Sequence, residues 1–477
     1  MPLTVLSDSD VRSLLFQLTR QDILDLQQSL ADALHYYSTS TDDDSNGCSS
    51  SYQPLRTSLK RKDGQTTLFM PASSNDGLGV KIVTLLTGDE KKRHSSEDTS
   101  SIASSVSKVS LSSSSQPPPS VSSAQSTTPK GSLTLFDKDG NPRAMVNAEE
   151  ITAFRTALAS TMLFKKRQNV HDVVVFGAGK QAYWHIRLAL LLRGPEVHHL
   201  NIINRDFERV HQLLQNLYNP HEQARRFSPE TTQLPSYRDN DDTSLARPKI
   251  QILTPGHGEY ERLLKSTIRA SSVIFFTTPS TTPLFPATYL TNPEGRKKGR
   301  YLAAIGSYKP HMVEIHPDIL KQNVAPEHGH RHFHKHASQG GAIIVDSVEA
   351  CLKEAGEVIQ AGLGPNEVVE IGELVMLKRD ADKRRSECLA KQLSKSDEGL
   401  DEGGVELGEC EMSKKKRRGS GKETSHEEEE HKRLIEWLQR GSVIYKSVGL
   451  GLMDVVVGSD LVRMADEKGI GTKIVNF

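Results

Sequence analysis

The sequence has few cysteines, no excess of charge of either sign and no long apolar run, and each absence excludes a class of protein. Four cysteines stand far apart among 477 residues in no metal-ligand spacing, which argues against a disulfide framework and favours a reducing compartment. The 60 basic side chains are balanced by 60 acidic ones, so binding to nucleic acid through bulk electrostatics is disfavoured. No apolar run reaches the ~18 residues of a membrane span, and the N-terminus lacks the apolar core of a signal peptide. We therefore expect a soluble, cytoplasmic protein that binds neither nucleic acid nor membranes.

A low apolar fraction and abundant serine indicate that part of the chain does not belong to a core. Hydrophobic residues make up 36% of the sequence, and 16 of the 33 residues in segment 95–127 are serine. Five segments are predicted from composition to be disordered or loop inserts: 38–51, 95–127, 226–247, 325–340 and 380–432. The fourth holds five alternating histidines, for which we predict no native metal. The fifth contains the basic run Lys414–Arg418, which is either solvated charge or a nuclear address, and this choice stays open.

The patterned remainder divides into an α+β region and a region in which strands and helices alternate. The first region begins with two amphipathic helices, the second over Asp22–Tyr36, followed by short strand-like runs. From Ala148 onward, strands and helices alternate at a spacing that implies parallel strands joined by helical crossovers. The predicted fold class is therefore α/β, with a Rossmann-type doubly wound sheet beside a smaller α+β domain.

A glycine-rich turn follows the strand Val173–Phe176 and leads directly into a helix. Gly177 permits a tight turn, and Gly179 lets a pyrophosphate approach the backbone. Lys180 and Gln181 open the helix, whose N-terminal N–H groups can bind the anion. This GxGxxA pattern, with a strand before it and a helix after it, predicts a dinucleotide site.

The residues after the neighbouring strands bear on the choice of cofactor. The second strand ends at Asn204 and Arg205 rather than at the carboxylate that usually accepts hydrogen bonds from the ribose of NAD. Nothing there repels a 2′-phosphate, and the Arg205 guanidinium can pair with it, so NADP(H) is favoured and NAD(H) remains possible. Thr278 follows a later strand at the same edge, where its hydroxyl either meets the cofactor or caps the strand locally.

Four motifs occur in a fixed order along nearly the whole patterned chain: Ile151–Ala157, Val175–Ala182, Ala304–Ser307 and Tyr445–Leu450, the last followed by Asp454. In this combination the chain resembles the ornithine cyclodeaminase/mu-crystallin family of dinucleotide-dependent proteins. The resemblance implies a homodimer. It implies a substrate-binding and dimerisation domain from residues 1–147 plus 433–477, a dinucleotide-binding domain over 148–379, and a charged linker over 380–432.

The resemblance also assigns roles to individual side chains. Arg56 and Lys81 are implied as the pair that receives the α-carboxylate of an amino acid or imino acid, and Lys81 can also donate to a reacting nitrogen. Ser447 and Val448 resemble the segment that closes over the nicotinamide and the substrate. The other residues implied at the cofactor are Thr128, Arg155, Ile305 and Gly306.

One position departs from the cyclodeaminases of the family. Where those enzymes carry an Asp that handles protons on the substrate amine, this chain has Tyr308, which either donates a proton or packs against the nicotinamide. Mu-crystallins also lack the Asp and resemble NADPH-using reductases of cyclic ketimines. We therefore expect an NADP-preferring reductase of a small amino acid or cyclic imine, near ornithine and proline metabolism. Two alternatives stay open: cyclodeamination of ornithine to proline and ammonia with bound NAD, and a non-catalytic dinucleotide or ligand sensor.

Overall fold

The computed structural model describes eight segments of the chain: residues 2–40, 46–62, 65–86, 130–219, 245–256, 258–325, 341–374 and 423–477, the last with side chains from residue 432 onward. The serine-rich segment and Thr128 lie outside these segments. So do most of 226–247 and 325–340, and the linker as far as residue 422. The described residues form two sheets and the helices that cover them.

Seven strands form a mixed sheet: β1 (Leu3–Leu6), β2 (Thr57–Lys60), β3 (Gln65–Ser74), β4 (Gly77–Leu86), β5 (Lys130–Phe136), β6 (Pro142–Asn147) and β15 (Thr472–Ile474). Their order is β15-β1-β6-β5-β4-β3-β2. β1 and β6 run parallel, and the other neighbouring pairs are antiparallel. Because β1 pairs with β15, the two ends of the chain lie side by side in this sheet.

Eight strands form a second sheet: β7 (Asp172–Phe176), β8 (His199–Ile203), β9 (Lys249–Leu253), β10 (Val273–Phe276), β11 (Tyr301–Ala304), β12 (Ile343–Val345), β13 (Val368–Glu370) and β14 (Val443–Lys446). Their order is β13-β12-β14-β11-β10-β7-β8-β9, and every neighbouring pair is parallel. Val173–Phe176 in β7 and Val273–Phe276 in β10 are continuous buried runs of β-branched and aromatic residues, as expected where helices cover both faces of a sheet. The strand order reverses at β7, so the predicted doubly wound sheet is confirmed.

Thirteen α-helices have both ends within the described segments: α1 (Asp8–Phe16), α2 (Arg20–Thr39), α3 (Ala148–Phe164), α4 (Lys180–Arg193), α5 (Phe207–Tyr218), α6 (Tyr260–Ala270), α7 (Thr288–Thr291), α8 (Pro293–Arg296), α9 (Pro317–Val324), α10 (Val348–Glu354), α11 (Gly356–Ala361), α12 (Glu423–Arg440) and α13 (Gly451–Lys468). Within these segments, no helix has the length and apolar character needed to cross a membrane.

The C-terminal helix α13 covers the mixed sheet. It packs on β3, β4 and β5 and also contacts α2 and α3. Close approach depends on Gly458, where a Cβ atom would lie 2.4 Å from Leu133 Cδ2. Helix α13 therefore completes a core that also includes α2 and α3 and the strands β3, β4 and β5.

Three of the predicted boundaries are wrong. β14 falls in the C-terminal part that was assigned to the substrate domain, yet it lies between β11 and β12 in the parallel sheet. Helix α12 begins at Glu423, inside the predicted linker. The predicted insert 38–51 includes the end of α2 at Thr39 and a turn in which Cys48 and Ser49 are buried. Composition missed these elements because long-range packing stabilises short or polar segments.

Candidate cofactor and substrate site

The carboxyl edge of the parallel sheet gathers the residues that were predicted around the cofactor. The loops after β7, β8, β10, β11 and β14 carry Gly177, Asn204, Thr278, Gly306 and Ser447 respectively. β7 and β10 are neighbours, and their connections leave in opposite directions, so a crevice opens between their carboxyl ends.

The glycine turn has the conformation that a pyrophosphate site requires. Gly177 has a φ of +111°, and a Cβ atom there would lie 2.7 Å from Thr277 Oγ1. At Gly179, by contrast, an added Cβ would meet no atom within 4 Å, so the space beside this residue is open. Gly179 is also the N-cap of α4 and places no side chain over the first N–H groups of the helix. These N–H groups are available to an anion.

The first two residues of α4 are at the expected place, but one is already paired. Lys180 Nζ lies 3.2 Å from Glu149 Oε2 and 2.9 Å from Glu150 Oε1 on α3. The Gln181 carbonyl oxygen accepts a hydrogen bond from His185 Nδ1 at 2.7 Å. A cofactor contact by either side chain stays a prediction.

The end of β8 carries an exposed basic side chain. Arg205 is exposed, and Asn204 Nδ2 donates to the carbonyl oxygen of Asp206 at 2.8 Å. The Asp206 carboxylate is turned into the cap of α5, where it accepts from the N–H groups of Glu208 and Arg209 at 2.9 and 3.3 Å. The carboxylate that directly follows Arg205 in the sequence therefore caps the helix.

A buried carboxylate that the sequence analysis missed ties together the loops after β10 and β11. Glu314 Oε1 accepts from Thr278 N at 2.6 Å and Thr278 Oγ1 at 3.0 Å, and its Oε2 accepts from Gly306 N at 2.6 Å and Ser307 N at 3.2 Å. Glu314 is fully buried. Burial raises its pKa to about 7, and the positive charge of Lys446 opposes the rise.

A second group of buried polar side chains also joins the ends of strands in this sheet. Lys446 Nζ lies 3.3 Å from Glu357 Oε1 and 2.6 Å from Ser307 Oγ, and it also donates to the Ser307 carbonyl oxygen. The Ser307 hydroxyl bonds to the Glu357 carboxylate at 2.6 Å. These contacts bind the ends of β11 and β14 to α11.

Two of the predicted cations share one carboxylate. Lys81 Nζ lies 3.0 Å from both carboxylate oxygens of Asp454, and Arg155 Nε lies 3.1 Å from Asp454 Oδ1. All three side chains are at most 5% exposed. Burial lowers the pKa of Lys81 to about 8, although the charge of Asp454 opposes the shift. The single negative charge of Asp454 is therefore in direct contact with two positive charges.

The segment after β14 is shaped around Arg155 and a second missed carboxylate. Gly449 has a φ of +88°, and a Cβ atom there would lie 2.7 Å from Arg155 Nη2. The buried Asp346 accepts from Ser447 Oγ at 2.7 Å, from Val448 N at 3.1 Å and from Gly449 N at 2.6 Å. Ser447 and Val448 are themselves buried, so Asp346 fixes the loop that was predicted to close over nicotinamide and substrate.

The remaining predicted residues converge on Arg56. Arg56 Nε donates to Glu354 Oε1 at 2.8 Å, a contact that was not foreseen. Burial lowers the pKa of Arg56, while the charges of Asp346 and Tyr308 act in the opposite direction. Burial raises the pKa of the half-buried Tyr308, so its phenol stays protonated at neutral pH and does not act as a base.

The structure thus brings most of the predicted site residues to one edge. Electrostatic coupling of Lys81 to both Arg155 and Arg56 indicates that the three cations lie near one another. Ile305 is buried beside Gly306. Thr128 lies outside the described residues. Asp346 could have been predicted as a site residue, because it directly follows a buried strand. No sequence pattern marked Glu314 or Glu354.

Comparisons with known proteins agree with this fold. No family model matches the sequence. An uncharacterised protein of Saccharomyces cerevisiae is 24% identical over 410 residues, which cover 79% of this chain and 87% of that protein. A Δ1-pyrroline-2-carboxylate reductase of Bacillus cereus is 22% identical over 432 residues, which cover 88% of each chain.

Solved structures with the same fold include three that span nearly the whole chain. An archaeal alanine dehydrogenase dimer with bound NAD has a TM-score of 0.56 at 15% identity and covers 100% of both chains. Thermococcus litoralis Δ1-pyrroline-2-carboxylate reductase, in complex with NADH and L-proline, has a TM-score of 0.56 at 16% identity and covers 98% of this chain and 99% of that one. A probable ornithine cyclodeaminase of Bordetella pertussis has a TM-score of 0.54 at 16% identity with the same coverage. At these identities the likeness establishes the fold.

We expect Asp454→Asn to lower the free energy of unfolding by about 3 to 5 kcal/mol, because it leaves two buried cations without their counter-charge. Urea denaturation measures this loss. Glu467→Gln is the matched control on the same helix, since the exposed Glu467 pairs with the exposed Arg463 and its loss should cost under about 1 kcal/mol. Equal losses in the two variants would contradict the proposed role of Asp454.

We expect Glu314→Gln to destabilise the protein by about 1 to 3 kcal/mol, because the amide N–H2 must face one of the two pairs of donors that the carboxylate accepts from. Thermal unfolding gives the comparison. Glu349→Gln, an exposed position paired with Lys353, should change the melting temperature little. A Glu314→Gln protein as stable as the wild type would show that these four hydrogen bonds contribute little to the free energy of unfolding.

Proposed function

We propose that this protein is an NAD(P)H-dependent oxidoreductase of the ornithine cyclodeaminase/mu-crystallin family that reduces a small cyclic imino acid. The observation that carries the proposal is the position of two buried cations on one carboxylate, close to the crevice of a dinucleotide fold. An anion bound there would accept hydrogen bonds from both cations, and the α-carboxylate of an imino acid is such an anion.

The comparisons support the class of reaction. The Bacillus relative and the Thermococcus structure are both named as Δ1-pyrroline-2-carboxylate reductases, and the latter was solved with NADH and L-proline. An iminosuccinate reductase of Paracoccus denitrificans in complex with NAD⁺ has the same fold, with a TM-score of 0.56. We extend to this chain the common chemistry of these proteins, reduction of a carbon–nitrogen double bond beside a carboxylate.

The residues present fit a nicotinamide dinucleotide. The open space at Gly179 and the uncapped N-terminus of α4 would hold the pyrophosphate, and Thr278, Ile305 and Gly306 would border the nicotinamide half. Arg155 and Ser447 would lie where cofactor and substrate meet. When bound, the nicotinamide supplies the hydride.

The chain's own side chains would orient the substrate and manage its proton. Arg56 and Lys81 hold the carboxylate, and Val448 borders the ring. Because burial lowers the pKa of Lys81 to about 8, this ammonium gives up a proton more readily than a lysine in water and can donate to the substrate nitrogen. Tyr308 is a second donor, since its phenol stays protonated at neutral pH.

The raised pKa of Tyr308 disfavours cyclodeamination. That reaction requires a group that accepts a proton from the substrate amine, and a phenol with a raised pKa is a poor acceptor at neutral pH. Imine reduction requires only that one proton reach nitrogen, or that the substrate enter as an iminium.

We further propose that the protein forms a homodimer through its mixed sheet. The archaeal alanine dehydrogenase of the same fold is described as a dimer. Leu55 and Leu59 are exposed beside and within the edge strand β2, where an apolar surface usually requires a cover.

We expect the purified protein to oxidise NADPH when Δ1-pyrroline-2-carboxylate or a related cyclic imine is added, and to release no ammonia from ornithine with NAD. NADPH absorbance and an ammonia assay measure the two reactions in parallel. Lys81→Met should lower kcat/KM for the imine at least about 100-fold, because it removes a cation that holds the substrate carboxylate and also a proton donor. Robust ammonia release would identify a cyclodeaminase instead, and tight NADPH binding without turnover would identify a sensor.

We expect Arg205→Ala to weaken NADPH binding by about 1.5 to 3 kcal/mol, or roughly 10- to 150-fold, while NADH binding changes little, because only the 2′-phosphate needs this guanidinium. Calorimetric titration with each cofactor gives the ratio of the dissociation constants for NADPH and NADH. Arg209→Ala, an exposed arginine on the following helix, is the matched control. Equal losses for NADPH and NADH would overturn the preference.

A further inference from the structure

The ion pair between Arg56 and Glu354 joins the two halves of the site. Arg56 lies just before β2 at the edge of the mixed sheet, whereas Glu354 is the last residue of α10, which follows β12 of the parallel sheet. Arg56 Nε donates to Glu354 Oε1 at 2.8 Å, and Arg56 Nη2 contacts Glu354 Oε2. The guanidinium therefore presents its Nε–Nη2 edge to both oxygens of the carboxylate.

This edge is one that a substrate carboxylate would use, because a bidentate pair needs two parallel N–H donors. Arg56 cannot offer the same edge to two carboxylates at once. The pair is also accessible, since the side chains of Arg56 and Glu354 are 19% and 28% exposed. A ligand can thus reach Arg56 and displace Glu354 without unfolding a core.

Once displaced, Glu354 would remain close to the ligand that replaced it. Around Arg56 stand the negative charge of Asp346 and the positive charge of Arg155, and Asp346 is already saturated by Ser447, Val448 and Gly449. The displaced carboxylate then needs a new positive partner. A cationic nitrogen next to the ligand's own carboxylate provides one.

We propose that Glu354 is a specificity-determining residue that competes with carboxylate ligands for Arg56, so that a ligand carrying its own cationic nitrogen binds in preference to a simple carboxylate. The chemical class selected is a zwitterion, either an α-amino acid or the iminium form of a cyclic imino acid. This inference rests on the proposed function, because it takes Arg56 to be the carboxylate receptor.

The test compares two ligands with five-membered rings, furan-2-carboxylate without a cationic nitrogen and L-proline with one, on the NADPH-loaded protein. We expect Glu354→Gln to tighten binding of furan-2-carboxylate by about 3- to 10-fold, as for loss of a partly exposed competing ion pair, and to leave binding of L-proline unchanged or weaker. Calorimetry or quenching of NADPH fluorescence measures both. Glu349→Gln on the same helix is the matched control, and Glu354→Asp, which keeps the charge, should lie near the wild type.

The outcomes separate the two proposals. If both ligands bind and Glu354→Gln changes them by the same factor, the selectivity inference is wrong while the proposed function stands. If Glu354→Gln tightens neither ligand but lowers the maximal rate of imine reduction, Glu354 touches the reacting nitrogen and does not compete for Arg56. If neither ligand binds to any variant although NADPH does, both the carboxylate site and the inference fail.

Discussion

The contact on which the site depends is the sharing of Asp454 by Lys81 and Arg155. These cations come from β4 and α3, and the carboxylate comes from α13, nearly 300 residues later than Arg155 in the chain. Buried charges are stable only when paired, so neither cation could occupy its place before the C-terminal helix has docked. Formation of the proposed substrate end of the site, around Lys81, Arg155 and Arg56, is therefore coupled to completion of the mixed sheet's core.

The cofactor end is organised by carboxylates in a similar way, although those carboxylates face backbone donors. Glu314 accepts from the loops after β10 and β11, and Asp346 accepts from the loop after β14. A carboxylate has lone pairs for several N–H groups, so one side chain can fix two or three loop ends that have no regular structure of their own. Each loop contributes to the crevice, and its geometry is set from behind by an acid that need not touch a ligand.

Local features of this molecule were predictable and long-range ones were not. Gly177 and Gly179 were identified because the strand, turn and helix that give them meaning are contiguous in sequence. The place of β14 between β11 and β12 was missed, because order within a sheet is a property of the folded chain. Arg56 and Lys81 were predicted as site residues through resemblance alone. Their partners Glu354 and Asp454 show why, because an exposed charge and a buried, paired charge look the same in a sequence.

The charges around the substrate end suggest why a tyrosine can stand at position 308. Arg56, Lys81 and Arg155 lie near Glu354, Asp454 and Asp346, so the side chains at this end carry as many negative as positive charges. A zwitterionic imino acid adds no net charge and preserves this balance. A carboxylate at position 308 would add a fourth negative charge in a half-buried place, which is useful where a proton must be taken from an amine and costly where no further positive charge balances it. The neutral phenol of Tyr308 leaves the charge balance around a zwitterionic ligand unchanged.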